Sequence, residues 1–134
     1  MLERRTVVTK LLQNRANAAV ISGLGSPTYD VAAVSPSDRN YYLWGAMGGA
    51  AMMGFGLALA RVDLHVIVIT GDGEALMGMG ALATIGANQP GNLSIVVLDN
   101  EHYGETGMQQ SHLGMGVDLC AVARACGISQ ACLV

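Results

Sequence analysis

Two apolar segments, HVIVIT at 65–70 and LSIVVL at 93–98, constrain the fold of this chain more than any other feature. Neither alternates polar with apolar residues as a strand with one wet face does, so both faces of each strand must be buried. A segment of helical periodicity at 74–88 separates them. This order favours right-handed crossovers and a parallel sheet covered by helices on both faces. We therefore predict an α/β fold of three αβα layers with a mainly parallel sheet.

The length and composition favour a single domain that assembles with other chains. The 134 residues suit one domain, 1–134, with a core of its own. Hydrophobic residues make up 51% of the chain and charged residues only 13%, which indicates buried strands and a surface that another chain covers. We expect an oligomer. The predicted strands are 18–22, 65–70, 93–98 and 129–134, and the predicted helices are 3–16, 45–60, 74–88 and 118–126.

Charge, hydropathy and cysteine spacing argue against several classes of protein. A net charge of −3 provides no basic surface for nucleic acid. The most membrane-like stretch, 44–60, is short for a membrane span and rich in glycine, so we interpret it as a buried helix. Cys120, Cys126 and Cys132 match neither a metal-binding nor a redox spacing. They indicate buried thiols in a reducing cytoplasm.

The motif GDG at 71–73 and the pair DN at 99–100 each come directly after a predicted strand. Asp72 lies between Gly71 and Gly73 after one strand, and Asn100 follows the next. Ligands of open α/β sheets bind at the carboxyl ends of the strands. Carboxylate and amide oxygens suit Mg²⁺, and the helix that begins after Gly73 offers its N-terminus to an anion. These residues predict a magnesium–diphosphate site, and the alternative is a tight turn with a solvated aspartate.

The spacing of these motifs resembles a known signature. GDG at 71–73, then twenty-five residues, then DN at 99–100 is similar to the GDG-to-NN signature of thiamine diphosphate enzymes. The stretches YYLWGAMGG, GDGEALMGMG and IVVLDNEHYGETG agree with that family over most of the chain. The chain most resembles the cofactor-binding subunit or C-terminal domain of sulfopyruvate and phosphonopyruvate decarboxylases. The resemblance implies the thiamine diphosphate-binding fold and a carboxy-lyase that acts on a small 2-oxo acid.

The same resemblance implies a set of cofactor-binding residues. Mg²⁺ would be bound by the side chains of Asp72 and Asn100 and by the backbone carbonyl of His102. The pyrimidine ring would be held by the Gly45 carbonyl and by the Met47 side chain, which would enforce the bent cofactor conformation. The diphosphate would be bound by the GDG turn and nearby backbone amides and by one hydroxyl, at Gly71, Gly73, Glu74, Tyr103, Gly104, Glu105 and Ser26.

No residue is a firm catalytic candidate in this chain. His112 lies beyond the metal-binding loop and either lines a substrate pocket or is an ordinary loop histidine. In relatives, a glutamate from a separate pyrimidine-binding domain activates the cofactor, and the segment before Gly45 is too short for that domain. We therefore expect a pyrimidine-binding partner of the alpha type, without which this chain binds the cofactor incompletely and catalyses poorly.

Three features depart from the family pattern. Asp99 replaces the first asparagine of NN, whereas the metal-binding second asparagine is present. Glu74 follows GDG where a small residue is common, and its carboxylate is unfavourable beside a diphosphate unless it points away. The sequence ends at Val134 in a predicted strand where relatives continue, so we expect it to be truncated at its C-terminus.

Three other functions compete with the decarboxylase reading. One is a subunit of another thiamine diphosphate enzyme, either a 2-oxoacid oxidoreductase or a carboligase. Another is a non-catalytic module that binds the cofactor for assembly or regulation. A nucleotide-binding Rossmann domain is disfavoured, because the loop GLGSPT after the first strand lacks the third glycine of GxGxxG.

Overall fold

A parallel four-stranded sheet forms the centre of the protein. The computed structural model describes residues 2–134. The helices are α1 (Arg4–Leu12), α2 (Ser26–Val34), α3 (Ala50–Ala60), α4 (Asp72–Met77), α5 (Ala81–Asn88) and α6 (Leu119–Ala125), with a 3₁₀ turn at Leu113–Met115. The strands are β1 (Ala19–Ser22), β2 (Asn40–Tyr42), β3 (Val66–Gly71), β4 (Leu93–Leu98), β5 (His102–Tyr103) and β6 (Gln109–Gln110).

All neighbouring strands of the main sheet are parallel, in the order β2-β1-β3-β4. The strands β5 and β6 form a separate antiparallel pair in the loop after β4. Helices cover both faces of the main sheet, so the predicted three-layer αβα architecture is confirmed. The central strand β3 is therefore buried from both sides, as its unbroken apolar sequence requires.

The two faces of the sheet belong to separate hydrophobic clusters. On one face, Val20 and Ile69 pack with Val8 of α1 and Val31 of α2. The other face packs against α3 and α5, in clusters that include Ile21, Val66, Val68, Ala50, Ala58, Phe55 and Ile85. Because successive side chains of a strand point to opposite faces, neighbouring residues of β1 and β3 supply both cores.

Two predicted boundaries are wrong in the first half of the chain. The segment after β1 contains helix α2 and strand β2, although the predicted elements include neither a helix nor a strand between residues 22 and 45. Pro27 occupies the first turn of α2, where its missing N–H costs no hydrogen bond. Helix α3 begins at Ala50 and not at residue 45. The preceding 45–49 turn includes Ala46 and Gly48 with positive φ angles of 50° and 95°, which a helix does not allow.

Three further predictions fail in the second half. Cys120 and Cys126, which were expected to be buried, are half-buried, and Cys132 is exposed. The predicted helix at 74–88 is two helices, α4 and α5, because the chain turns at 78–80. No strand forms at 129–134. There the Ala131 carbonyl accepts a hydrogen bond from the Arg124 side chain at 2.8 Å, with no partner strand beside it. Among residues 2–134, no helix has both the length and the apolar character needed to cross a membrane.

Two glycines of α3 should respond oppositely to alanine substitution. A Cβ at Gly54 would lie 2.2 Å from Cγ2 of Val68, whereas a Cβ at Gly56 would meet nothing within 4 Å. We expect Gly54→Ala to lower the free energy of unfolding by about 1–2 kcal/mol through overpacking. Gly56→Ala should raise it by about 0.5–1 kcal/mol, because alanine is less flexible in the unfolded chain.

Urea denaturation of both variants checks this pair. The expected order of midpoints is Gly56→Ala, then the unmodified chain, then Gly54→Ala. Equal midpoints for the two variants would contradict the packing of α3 on β3.

Candidate functional site

The carboxyl ends of β3 and β4 meet at one edge of the sheet. The two strands pair up to Gly71 and Leu98, so Asp72 and Asp99 each follow directly after the last paired residue. Asn100 comes one residue later and is exposed. The structure therefore brings the GDG and DN motifs to the same sheet edge, which is where an open α/β sheet binds its ligands.

Asp72 is buried, and a serine holds its carboxylate in place. The residue is only 2% exposed and begins α4. The hydroxyl of Ser111, itself fully buried, donates a hydrogen bond of 2.6 Å to Oδ2 of Asp72. The Ser111 backbone N–H donates to the Glu101 carbonyl at 2.7 Å. This pair of contacts ties the loop after β4 to Asp72.

The contact of Ser111 with Asp72 was not predictable from the sequence. It stands in the polar stretch QQSH, thirty-nine residues from Asp72, and no motif singles it out. Only the β5–β6 hairpin returns it to the sheet edge.

Asn100 and His102 form a compact turn. The Asn100 side-chain oxygen accepts a hydrogen bond from the His102 backbone N–H at 3.0 Å. The His102 ring nitrogen Nδ1 lies 2.8 Å from the Asn100 carbonyl oxygen, so the imidazole is engaged with the backbone. Glu101 between them has a positive φ of 61°. The turn presents amide and carbonyl oxygens at the sheet edge where α4 begins with Asp72.

This set of oxygen donors fits Mg²⁺. A carboxylate, an amide oxygen and a backbone carbonyl are hard ligands, and Mg²⁺ completes its octahedron with phosphate oxygens and water. The hydrogen bonds at Asp72 and Asn100 leave each oxygen group with further lone pairs. Residues 2–134 contain no group of three or more His, Cys, Asp or Glu side chains placed to hold a metal. The predicted ligand set includes only one such side chain, Asp72.

The two glycines of GDG have different surroundings. A Cβ at Gly71 would meet nothing within 4 Å, which leaves its backbone open to a ligand. A Cβ at Gly73 would lie 2.5 Å from the Tyr103 ring. Gly73 therefore allows Tyr103 to pack on the first turn of α4, and this brings the 103–105 segment to the helix N-terminus.

Ser26 and Glu105 lie on adjoining loops. Ser26 is half-buried and opens α2 after Gly25, whose φ of 76° favours glycine. A Cβ at Gly25 would lie 2.3 Å from the Glu105 carboxylate, so the Glu105 side chain rests on the loop before α2. Gly104 is exposed between Tyr103 and Glu105. The loops after β1, β3 and β4 thus converge.

Gly45 and Met47 lie in the 45–49 turn, at the far end of α4. Gly45 is exposed and has open space on the side of a Cβ, and Met47 is half-buried. The backbone of Gly48 packs directly on Gly78, the C-cap of α4, where a Cβ would lie 2.0 Å from the Gly48 oxygen. One short helix therefore connects the GDG end of the site with the 45–49 turn.

His112 lies beside the site but outside its core. It is exposed and lines an open groove of about 350 Å³ together with Tyr103, Met77, Met79, Leu76 and Val117. The groove is largely apolar, and Tyr103 connects it to the first turn of α4.

Comparison with known proteins matches most of this chain. Residues 23–134 match the family described as thiamine pyrophosphate enzyme, C-terminal TPP binding domain. The sulfopyruvate decarboxylase subunit beta of Methanocaldococcus jannaschii is 40% identical over 127 residues, which are 94% of this chain and 67% of that protein. The phosphonopyruvate decarboxylase of Streptomyces viridochromogenes is 46% identical over 111 residues, 83% of this chain and 28% of that protein.

A solved structure gives the same fold. The X-ray structure described as a thiamin diphosphate-dependent enzyme from Mycobacterium smegmatis superimposes with a TM-score of 0.80, over 94% of this chain and 25% of that chain. Its sequence identity of 21% supports the fold alone. The family match and the sulfopyruvate decarboxylase relative establish the membership: the chain belongs to the thiamine pyrophosphate enzyme family and carries its C-terminal TPP-binding domain.

Proposed function

We propose that residues 1–134 are a single-domain, cytoplasmic subunit that binds thiamine diphosphate and Mg²⁺ in a 2-oxo acid decarboxylase of the sulfopyruvate or phosphonopyruvate type. The observation that carries this proposal is the buried carboxylate of Asp72 at the start of α4, beside the exposed amide of Asn100 on the neighbouring strand end. A buried carboxylate at a ligand-binding sheet edge is stabilised when a cation lies against it. The decarboxylase relatives supply the reaction class.

The proposed roles follow the placement of the donors. The side chains of Asp72 and Asn100 and the carbonyl of His102 hold Mg²⁺. The diphosphate is bound by backbone amides near the N-terminus of α4 and in the 103–105 segment, with the Gly71 backbone and the Ser26 hydroxyl contributing. These groups orient the cofactor and neutralise its charge. Thiamine diphosphate, when bound, supplies the electron sink that decarboxylation requires.

We propose that the pyrimidine end of the cofactor lies on the 45–49 turn. The Gly45 carbonyl accepts from the amino group of the ring, and Met47 supports the bent conformation. The 2-oxo acid enters from the groove beside Tyr103, with His112 as the candidate substrate-pocket residue.

A partner subunit with a pyrimidine-binding domain completes the proposed enzyme. Several large apolar side chains on and around α3 are at least one-third exposed, which supports a covered surface there: Trp44, Met52, Met53, Leu59 and Val62. The partner supplies the activating glutamate. The chain alone should therefore bind the cofactor weakly and catalyse no measurable decarboxylation.

Calorimetric titration of thiamine diphosphate into the full chain, with and without Mg²⁺, tests the proposal. It should be repeated on the complex that the tagged chain forms with its partner. We expect binding that requires Mg²⁺ and becomes tighter in the complex. Binding that is absent from both samples, or that ignores Mg²⁺, would overturn the proposed site.

The reaction class needs a separate assay on the complex. We expect CO₂ release from sulfopyruvate or phosphonopyruvate without any electron acceptor. Turnover that requires an electron acceptor would identify an oxidoreductase, and a new carbon–carbon bond in the product would identify a carboligase. Cofactor binding without any turnover would favour a non-catalytic module.

Removal of the Ser111 hydroxyl should weaken the metal site. Ser111→Ala leaves the Asp72 carboxylate without its 2.6 Å hydrogen bond. Loss of such a supporting contact typically reduces metal affinity about 10-fold or more, so we expect a comparable rise in the Mg²⁺ concentration needed for cofactor binding. Ser94→Ala is the matched control, because Ser94 pairs with His65 near the opposite end of the sheet. An equal response of both variants would contradict the role of Ser111.

A further inference from the structure

Glu74 has a buried carboxylate that three separate segments contact. It lies in the first turn of α4 and is only 4% exposed. Its Oε2 accepts hydrogen bonds from the Leu24 backbone N–H at 2.9 Å and the Thr70 hydroxyl at 2.8 Å. Its Oε1 accepts from the Gly48 backbone N–H at 3.3 Å. The side chain therefore points into the protein, away from the solvent edge where the sequence raised a conflict with a diphosphate.

The surroundings of Glu74 are shaped to receive this side chain. A Cβ at Gly23 would lie 1.8 Å from Oε2, so any residue larger than glycine at 23 would displace the carboxylate. Among residues 2–134, no buried side-chain nitrogen or oxygen lacks a hydrogen-bond partner. Burial of a carboxylate is costly unless such donors meet it, so each of the three contacts helps to stabilise the buried Glu74 side chain.

Two of the donors to Glu74 belong to loops that are proposed to bind different ends of the cofactor. Leu24 lies two residues before Ser26, in the loop proposed for the phosphate end of the cofactor. Gly48 lies one residue after Met47, in the turn proposed for the pyrimidine end. Glu74 is adjacent to Gly73 of the GDG turn. One carboxylate thus connects the loops that would hold the two ends of one ligand.

We propose that Glu74 is a positioning residue that sets the distance and orientation of the 45–49 turn relative to the diphosphate site. This inference rests on the proposed function. A turn held in place before binding loses less conformational entropy when the pyrimidine docks, so the effect is on affinity for the whole cofactor. A ligand that occupies only the diphosphate end does not contact the turn, so its affinity does not depend on how the turn is held.

The variant Glu74→Gln separates this role from a general folding role. An amide has one acceptor oxygen and one donor group. Its oxygen best satisfies the two donors Leu24 and Thr70, which places the NH₂ group against the Gly48 N–H. Two facing donors repel, so the variant should release the 45–49 turn and keep the loop before α2 attached. Asp38→Asn, at an exposed position outside the proposed site, is the matched control.

Two ligands and one ligand-free measurement form the test. We expect Glu74→Gln to lower the affinity for thiamine diphosphate about tenfold, which corresponds to the loss of roughly one hydrogen bond. The affinity for inorganic pyrophosphate with Mg²⁺ should stay within about twofold. In the full chain without cofactor, amide hydrogen exchange at 45–49 should accelerate, with exchange at 23–25 unchanged. Thr70→Val removes only an Oε2 contact and should show neither effect.

Each outcome decides the inference. If Glu74→Gln lowers the affinities for thiamine diphosphate and pyrophosphate equally, Glu74 only supports the fold. If hydrogen exchange at 45–49 is unchanged in this variant, Glu74 does not hold the turn. If Thr70→Val lowers the affinity for thiamine diphosphate but not for pyrophosphate, the positioning role assigned to the Gly48 contact of Glu74 would also be overturned. If neither the unmodified chain nor its complex with the partner binds thiamine diphosphate, the proposed function fails. The exchange measurement still decides whether Glu74 holds the turn.

Discussion

Replacement of Asp72 by alanine should reduce the Mg²⁺-dependent affinity for thiamine diphosphate by about 100-fold or more, close to 3 kcal/mol of binding free energy. Asp72 is the only carboxylate in the proposed ligand set, so the variant leaves the metal with neutral amide and carbonyl oxygens. The loss is expected in calorimetric titrations with saturating Mg²⁺. Without Mg²⁺ the variant and the unmodified chain should bind equally poorly.

The neighbouring Asp99 gives the matched control. It is exposed, and its side chain accepts a hydrogen bond from the Glu101 N–H at 2.9 Å. An asparagine preserves that bond, so Asp99→Asn should keep the affinity within about twofold. Thermal unfolding without ligand must accompany both variants, because Asp72→Ala also leaves the buried Ser111 hydroxyl without its acceptor. Retention of Mg²⁺-dependent binding by a folded Asp72→Ala chain would show that the GDG motif is only a turn.

The second large effect is expected at Gly78, where the chain passes closest to the 45–49 turn. A Cβ there would lie 2.0 Å from the carbonyl oxygen of Gly48 and 2.8 Å from its carbonyl carbon. These are backbone atoms, which cannot rotate aside as a side chain can. We expect Gly78→Ala to lower the free energy of unfolding by about 2–3 kcal/mol, at the upper end of overpacking effects. The substitution should also displace the 45–49 turn and so lower the affinity for thiamine diphosphate.

Gly80→Ala is the control for this prediction. Gly80 has an ordinary φ of −59° and open space on the side of a Cβ. Its substitution should change the unfolding free energy by no more than about 0.5 kcal/mol. Urea denaturation measures the free energy of unfolding of both variants, and their midpoints can be compared directly if the m-values are the same. Equal stability of the two would contradict the close contact between α4 and the turn.

The strands β1, β3 and β4 and the sheet edge of the candidate site were predictable because their signals are local. The unbroken apolar runs of β3 and β4 require burial on both faces, and a parallel sheet then brings the residues after them to one edge. This rule alone predicts that the GDG and DN motifs are neighbours. Family resemblance then gave the ligand chemistry.

Helix α2 was missed because its signals are polar. Its segment begins with serine and proline, and the buried residues Thr28 and Asp30 weaken any apolar periodicity. Asp30 is fully buried because the Arg4 and Arg5 side chains of α1 bind its carboxylate. The sequence does not show that pairing, since the partners are twenty-five or more residues away.

The sequence by itself determined the layers of this protein and the sheet edge where the candidate site lies, because both follow from periodicity and from motifs a few residues long. Only the tertiary structure decided where the acidic groups point. Glu74 turns inward because its donors at Leu24, Thr70 and Gly48 meet within reach of one side chain, one of them fifty residues away. Asp72 is held by a serine thirty-nine residues downstream. Contacts at such separations depend on how loops from different strands converge, and no local pattern encodes that convergence.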